Sequence, residues 1–197
     1  MRCFPTKFTQ IDRLILLLME TKLLRDCSAT IIPEGTAITL EEETPVFVTQ
    51  TLGGNVTVRV GQKLFRISNV DADAVEGLEL DNAEDKGESD NGAPFSEEAV
   101  WDALKQCFDP EIPVNIVDLG LIYDMRISDL DSGKKDVSIK MTLTAQGCGM
   151  GPVIAQDAKN RVEQIEEIDR ADVEIVWDPV WNPQMISASG RQVLGLE

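Results

Sequence analysis

Residues Asp71–Asn91, DADAVEGLELDNAEDKGESDN, carry nine carboxylates and one lysine, with no aromatic side chain and no sustained hydrophobic period. A run of this composition has too little apolar surface to offset the entropy of ordering it. It therefore reads as an acidic linker, assigned to 71–94. The 197 residues are enough for one large core or two small ones. The linker decides for two, with a strand-rich unit over 1–70 and a second unit over 95–197.

The hydrophobic pattern changes across that boundary. Before it, short alternating runs predict strands at Ala29–Ile32, Ala37–Leu40, Val46–Leu52, Val56–Val60 and Lys63–Ile67. Turn signals at Pro33-Glu34-Gly35, Gly53-Gly54-Asn55 and Gly61-Gln62 separate them. Many closely spaced strands suggest a small barrel or sandwich. Ile11–Met19 reads as a short helix. After the linker, Ser96 caps a helix whose apolar face is Val100, Leu104, Cys107 and Phe108. Strands follow around Leu121–Ile127 and Val137–Thr144, then a helix with Ile154, Ala158, Val162 and Ile165 on one face. A strand over Asp172–Trp177 closes the unit. The fold class is α+β: a small strand-rich domain followed by an α-β-β-α-β mixed-sheet domain.

Composition removes several functions. The net charge is −17, and neither nucleic acid nor an anionic membrane surface attracts a chain without a basic footprint. The apolar run Leu14–Met19 is too short to cross a bilayer, and its charged flanks make a poor signal peptide. Four cysteines, Cys3, Cys27, Cys107 and Cys148, lie far apart with no CxxC pair. Neither a zinc ribbon nor a thioredoxin-type redox pair is available, and free thiols point to a reducing, cytoplasmic compartment. The chain contains no histidine. Cys–His dyads and His-ligated metal sites are thereby excluded.

One cysteine stands out. In MTLTAQGCGMGP, from Met141 to Pro152, Cys148 lies between an alternating strand and a helix that Pro152 is placed to open. Gly147, Gly149 and Gly151 let the backbone turn and leave the sulfur uncrowded. A helix N-terminus offers a positive dipole end and free N–H groups, which favour a thiolate, the form that attacks electrophiles and binds metals. The alternative is a small buried apolar cysteine. Two flanking segments are also unusual. DPEIPVNIVDLG, Asp109–Gly120, sets the carboxylates of Asp109, Glu111 and Asp118 on a proline-stiffened backbone. It reads equally as a site or as a helix-terminating loop whose Asp side chains satisfy local N–H groups. WDPVWNP, Trp177–Pro183, reads as a rigid apolar wall, or as a partner surface where a tryptophan is exposed.

Taken in order, DPEIPVNIVDLGLIYD, MTLTAQGCGMG and WDPVWNP resemble the small metal–sulfur cluster assembly factors. That family includes the PaaD proteins of phenylacetate degradation and the N-terminal domain of some Mrp-type cluster-carrier ATPases. The resemblance covers roughly Ser96–Glu197. RDCSATIIPEGT, TQTLGGNVTV and FRISNVDADAVEG in the first half are similar to the extension found in SufT proteins. The whole chain thus resembles the SufT-type iron–sulfur cluster assembly proteins. This resemblance implies that Cys148 is the principal functional residue and the metal ligand, with Asp118, Thr142 and Glu111 as further cluster-binding positions. Gln146 departs from the family's usual proline and implies a looser turn before Cys148. Gly190 replaces its usual alanine and implies a weaker terminal helix.

The leading reading is a non-catalytic factor that matures recipient proteins by handing over an iron–sulfur cluster through a reactive Cys148. Its partners would be cluster recipients and other assembly or carrier proteins. A thiolate is a soft ligand suited to such clusters, but they commonly take several. With one thiolate in the loop, unless Cys107 reaches it from the helix end, the cluster is expected to be held transiently, or shared in a homodimer, or completed by Asp118. A Cys148-dependent thiol transferase is the alternative, and without histidine its base would be Asp118, Glu111 or water. A third reading is a pure interaction module working through the linker and the Trp181 region.

Overall fold

The computed structural model describes residues 20–78 and 95–196. Cys3, the helix expected at Ile11–Met19 and residues 79–94 of the acidic linker lie outside the described residues. The chain divides into two compact units, one built on a six-stranded sheet and the other on a three-stranded sheet with helices.

The first unit contains β1 (Glu20–Lys22), β2 (Cys27–Ile32), β3 (Ala37–Leu40), β4 (Pro45–Leu52), β5 (Asn55–Val60) and β6 (Lys63–Ile67). Every pairing is antiparallel, in the order β1-β4-β5-β6-β2-β3. The expected barrel or sandwich is instead a single sheet. The β4–β5 hairpin turns on Gly53 and Gly54, both at positive φ. Two such residues make the tight turn whose twist matches the strands. Val46, Val48, Val56, Val58 and Ile67 are fully buried on its apolar face.

The acidic segment begins later than its composition implies. Residues 71–78, assigned to the linker, belong to this unit, and Ala72, Ala74 and Val75 lie in its core. A 3-10 helix spans Asn69–Ala74, with Ala72 and Ala74 buried. Val75 bridges Leu23, and Leu24 N–H donates to Ala74 O at 2.7 Å. Arg25 pairs with Asp71 at 2.9 Å and with Asp73 at 2.6 Å. Small apolar side chains between the carboxylates supply the burial, and one arginine takes two of the charges.

The second unit contains α1 (Glu97–Lys105), β7 (Ile122–Asp129), β8 (Lys135–Met141), α2 (Gly151–Val162), β9 (Ile168–Ile175) and α3 (Ala188–Leu194). Its sheet order is β7-β8-β9, antiparallel then parallel. This is the expected hairpin and helical crossover. Ser96 caps α1, its hydroxyl accepting from Ala99 N–H at 3.3 Å. Val100 and Leu104 of α1, and Ile154, Ala158 and Val162 of α2, are buried together with Val137, Ile139 and Met141 of β8. The opposite side of β8 carries exposed Ser138 and Lys140, so the sheet has one apolar and one wet face.

Three details differ from the periodicity. A bulge between Ile122 and Asp124 breaks the alternation at Tyr123, placing Ile122 opposite Met141 and Met125 opposite Ile139. β9 starts earlier than Asp172, because it pairs with β8 along its whole length from Lys135. It ends at Ile175, so Trp177 falls in the loop beyond it. Cys107 follows α1 rather than lying on its face; it is fully buried, its Sγ 3.9 Å from Ala103 O.

Candidate functional site: the Cys148 loop

β8 ends at Met141 and β9 at Ile175, and Val176 N–H donates to Met141 O at 2.8 Å. Two loops therefore leave the carboxyl ends of the parallel pair side by side: Thr142–Met150, which carries Cys148, and the Trp177 loop. In α/β units this end is where ligands are bound, because helix N-termini and loops converge there. Cys148 is half-buried, whereas Cys27 and Cys107 are buried. Among the described cysteines it alone retains access to solvent. Burial, followed by the nearby carboxylate of Asp71, pushes the Cys27 thiol above its ordinary range; that thiol is inert by environment.

The loop is built for a close approach. Gly147 sits at a φ of 83°, a conformation open to glycine. A side chain at Gly151 would run into Leu143 Cδ1, so α2 starts hard against the end of β8. Gly151 opens the helix and Pro152 is its second residue. Of the free N–H groups expected at this helix start, that of Gly151 is already committed, donating to Cys148 O at 3.2 Å. Met150, fully buried, receives the N–H groups of Val153 and Ile154 and anchors the first turn.

The other expected site residues lie in different settings. Thr142 is 1% exposed. Its N–H donates to Leu121 O at 2.8 Å, but its hydroxyl has no hydrogen-bond partner. A buried orphan hydroxyl is uncommon and calls for an explanation. Glu111 is exposed, and its contribution to the loop is its backbone: Glu111 N–H donates to Asp109 Oδ1 at 3.0 Å. Asp109 itself is buried at 4% exposure. Burial raises its pKa, and the Glu111 hydrogen bond offsets only part of that. For these two residues the local-turn reading of DPEIP describes what is seen.

Asp118 is half-buried, and both of its carboxylate oxygens accept hydrogen bonds. Its Oδ1 accepts from Ser187 Oγ and Ser189 Oγ, each at 2.6 Å, and its Oδ2 from Asn115 Nδ2 at 2.7 Å. Burial pushes its pKa up, but the bonds from Ser187, Ser189 and Asn115, helped by Lys105, outweigh that and hold it below the usual range. Sequence reasoning missed the two serines. The signal was present, since Ser187 is the N-cap of α3 and accepts Gly190 N–H at 3.0 Å. The terminal helix forms with Gly190 inside it. A Cβ there would lie 2.8 Å from Asp118 O, so the glycine permits the contact. Among the described residues, no group of three or more His, Cys, Asp or Glu side chains could hold a metal ion.

The tryptophan loop divides its duties. Trp181 Nε1–H donates to Leu119 O at 2.8 Å, and Tyr123 O–H donates to Pro179 O at 2.8 Å. Trp177 and Val180 are 39% and 67% exposed.

Residues 97–175 match the family model described as iron-sulfur cluster assembly protein. The Fe-S protein maturation auxiliary factor YitW of Bacillus subtilis is 37% identical over 100 residues, which is 51% of this chain and 94% of the relative. The Fe-S protein maturation auxiliary factor SufT of Staphylococcus aureus is 39% identical, covering 45% of this chain and 96% of the relative. An Fe-S protein maturation auxiliary factor of Porphyromonas gingivalis is 34% identical over 51% of this chain and 91% of its own length. The family match spans α1 to β9, including the whole Cys148 loop, and the likeness to two of these relatives is nearly end to end on their side. The chain belongs to the iron–sulfur cluster assembly protein family.

Proposed function

We propose that this protein is a non-catalytic maturation factor that passes an iron–sulfur cluster to recipient proteins through Cys148. The observation that carries this reading is the contrast among the described cysteines: two are buried, and Cys148 alone is accessible, in a glycine-lined loop at the carboxyl end of β8. A thiolate there is a soft ligand matched to iron. The cluster is cargo. Because iron–sulfur clusters commonly take four thiolates, one Cys148 per chain gives a hold that a second ligand set can complete and then break. That set comes from a second copy of the chain, or from the donor or recipient partner. The unpartnered Thr142 hydroxyl is one donor available to steady a sulfur centre near the loop. Asp118, bound by Ser187, Ser189 and Asn115, is not needed as a ligand.

Anaerobic incubation with ferrous iron and sulfide tests this. The wild type should gain charge-transfer absorbance and substoichiometric iron per chain, with a shift toward dimer. Cys148→Ser should lose both, while Cys27→Ser and Cys107→Ser should retain them. An undiminished chromophore in Cys148→Ser would move the site elsewhere; no iron in any variant would leave a partner-only role.

A further inference from the structure

The C-terminal segment of the second unit is fastened to the loop entering β7, and the fastening converges on Asp118. Its carboxylate receives three hydrogen bonds, two from Ser187 and Ser189 and one from Asn115. Its backbone adds two more: Asp118 N–H donates to Asn115 Oδ1 at 2.8 Å, and Asp118 O accepts Ser187 N–H at 2.8 Å. Trp181 holds Leu119 O next door. Gly120, at a φ of 70°, lets Met185 O press against it where any Cβ would collide. On the far side of this seam, Leu121 N–H donates to Ile116 O at 3.0 Å, and Leu121 O accepts Thr142 N–H at 2.8 Å. Thr142 is the first residue of the loop that carries Cys148.

A carboxylate offers about four acceptor sites, and three of these are filled. We infer that Asp118 is a positioning residue. It locks the 115–121 loop to the segment from Trp181 to Gly195, and through Leu121 it sets Thr142 and the base of the Cys148 loop, with Ser187 and Ser189 as its working partners. This rests on Cys148 being the working residue, but the fastening itself is measurable without any cluster.

The test combines amide hydrogen exchange with the rate of Cys148 alkylation by iodoacetamide in the full chain. Asp118→Ala, and separately Ser187→Ala with Ser189→Ala, should speed exchange at Thr142 and across the α3 region at least tenfold. Each should also change the Cys148 alkylation rate at least threefold, while Cys27 stays protected. A swap, Asn115→Asp with Asp118→Asn, keeps every bond: the amide placed at 118 still accepts from both serines and donates to the carboxylate moved to 115. The swap should return both rates to within twofold of wild type and keep iron uptake. Unmoved rates in the double serine variant would overturn the proposal. So would a swap that fails to restore the rates, or one that restores them while losing iron, which marks Asp118 as a ligand. Should no variant take up iron, the cluster reading fails while the exchange data still decide the fastening.

Discussion

Asp109 and Asp118 sit nine residues apart in one loop and respond to burial in opposite ways. Asp109 has one hydrogen bond and a pKa raised by desolvation. A carboxyl bound more tightly to its proton in the folded state adds stability below its ordinary pKa, and loses that contribution as pH rises through the folded value. Ionised Asp109 is therefore a cost at neutral pH. Asp109→Asn keeps an oxygen for Glu111 N–H and removes the charge, so it should stabilise the fold by about 1 kcal/mol at pH 7. The advantage should shrink to nothing below about pH 4. Denaturant titrations at the two pH values check this, and equal effects at both would reject the desolvation account. Asp118 carries the reverse sign: its depressed pKa gives stability above the ordinary carboxylate value, lost as pH falls through the depressed one. Composition marked both residues as acidic loop positions. It could not separate them, because the difference lies in Ser187 and Ser189, some seventy positions away in sequence.

At the scale of elements, local chemistry was a good guide where a side chain or a glycine closes a turn by itself. The Ser96 cap, the Gly53-Gly54 hairpin and the strand–loop–helix around Cys148 all form as their residues dictate. It was a poor guide where pairing partners choose the boundaries. β9 extends back to Ile168 because β8 offers a parallel partner from Lys135 onward, and no property of residues 168–171 alone announces that. Tyr123 leaves the alternation at the bulge, and its hydroxyl donates to Pro179 O, a partner far along the chain. Gly120 illustrates the combined constraint, since its left-handed backbone and the close Met185 carbonyl both exclude a side chain. The backbone penalty alone costs about 1 kcal/mol or more, and overpacking adds about 1–3 kcal/mol. Gly120→Ala should therefore lower stability by about 2–4 kcal/mol. A clearly lower unfolding midpoint in chemical denaturation is the expected result, and a loss under 0.5 kcal/mol, roughly the level of a neutral surface change, would show that the seam yields.

For the whole molecule, the division into two units was legible because the composition of the chain's middle changes so sharply. Its edge was misplaced since Ala72, Ala74 and Val75 pack while Asp73 and Glu76 stay exposed. A count of charges cannot reveal which small side chains find a core. The charge itself bears on assembly. Each chain carries −17, so a homodimer sharing a cluster brings two strongly acidic bodies together, and their repulsion opposes association. Screening shortens from about 10 Å at 0.1 M salt to about 3 Å at 1 M. The cluster-loaded dimer should therefore become more populated as salt rises, with the iron–thiolate bonds unaffected. A recipient that docks through a basic surface should respond in the opposite direction, binding less as salt increases. Sedimentation of the anaerobically reconstituted protein across a salt series measures the first effect. A dimer fraction that falls with added salt would mean that attractive charge contacts hold the two chains together, and that the net negative charge is no barrier to dimerisation.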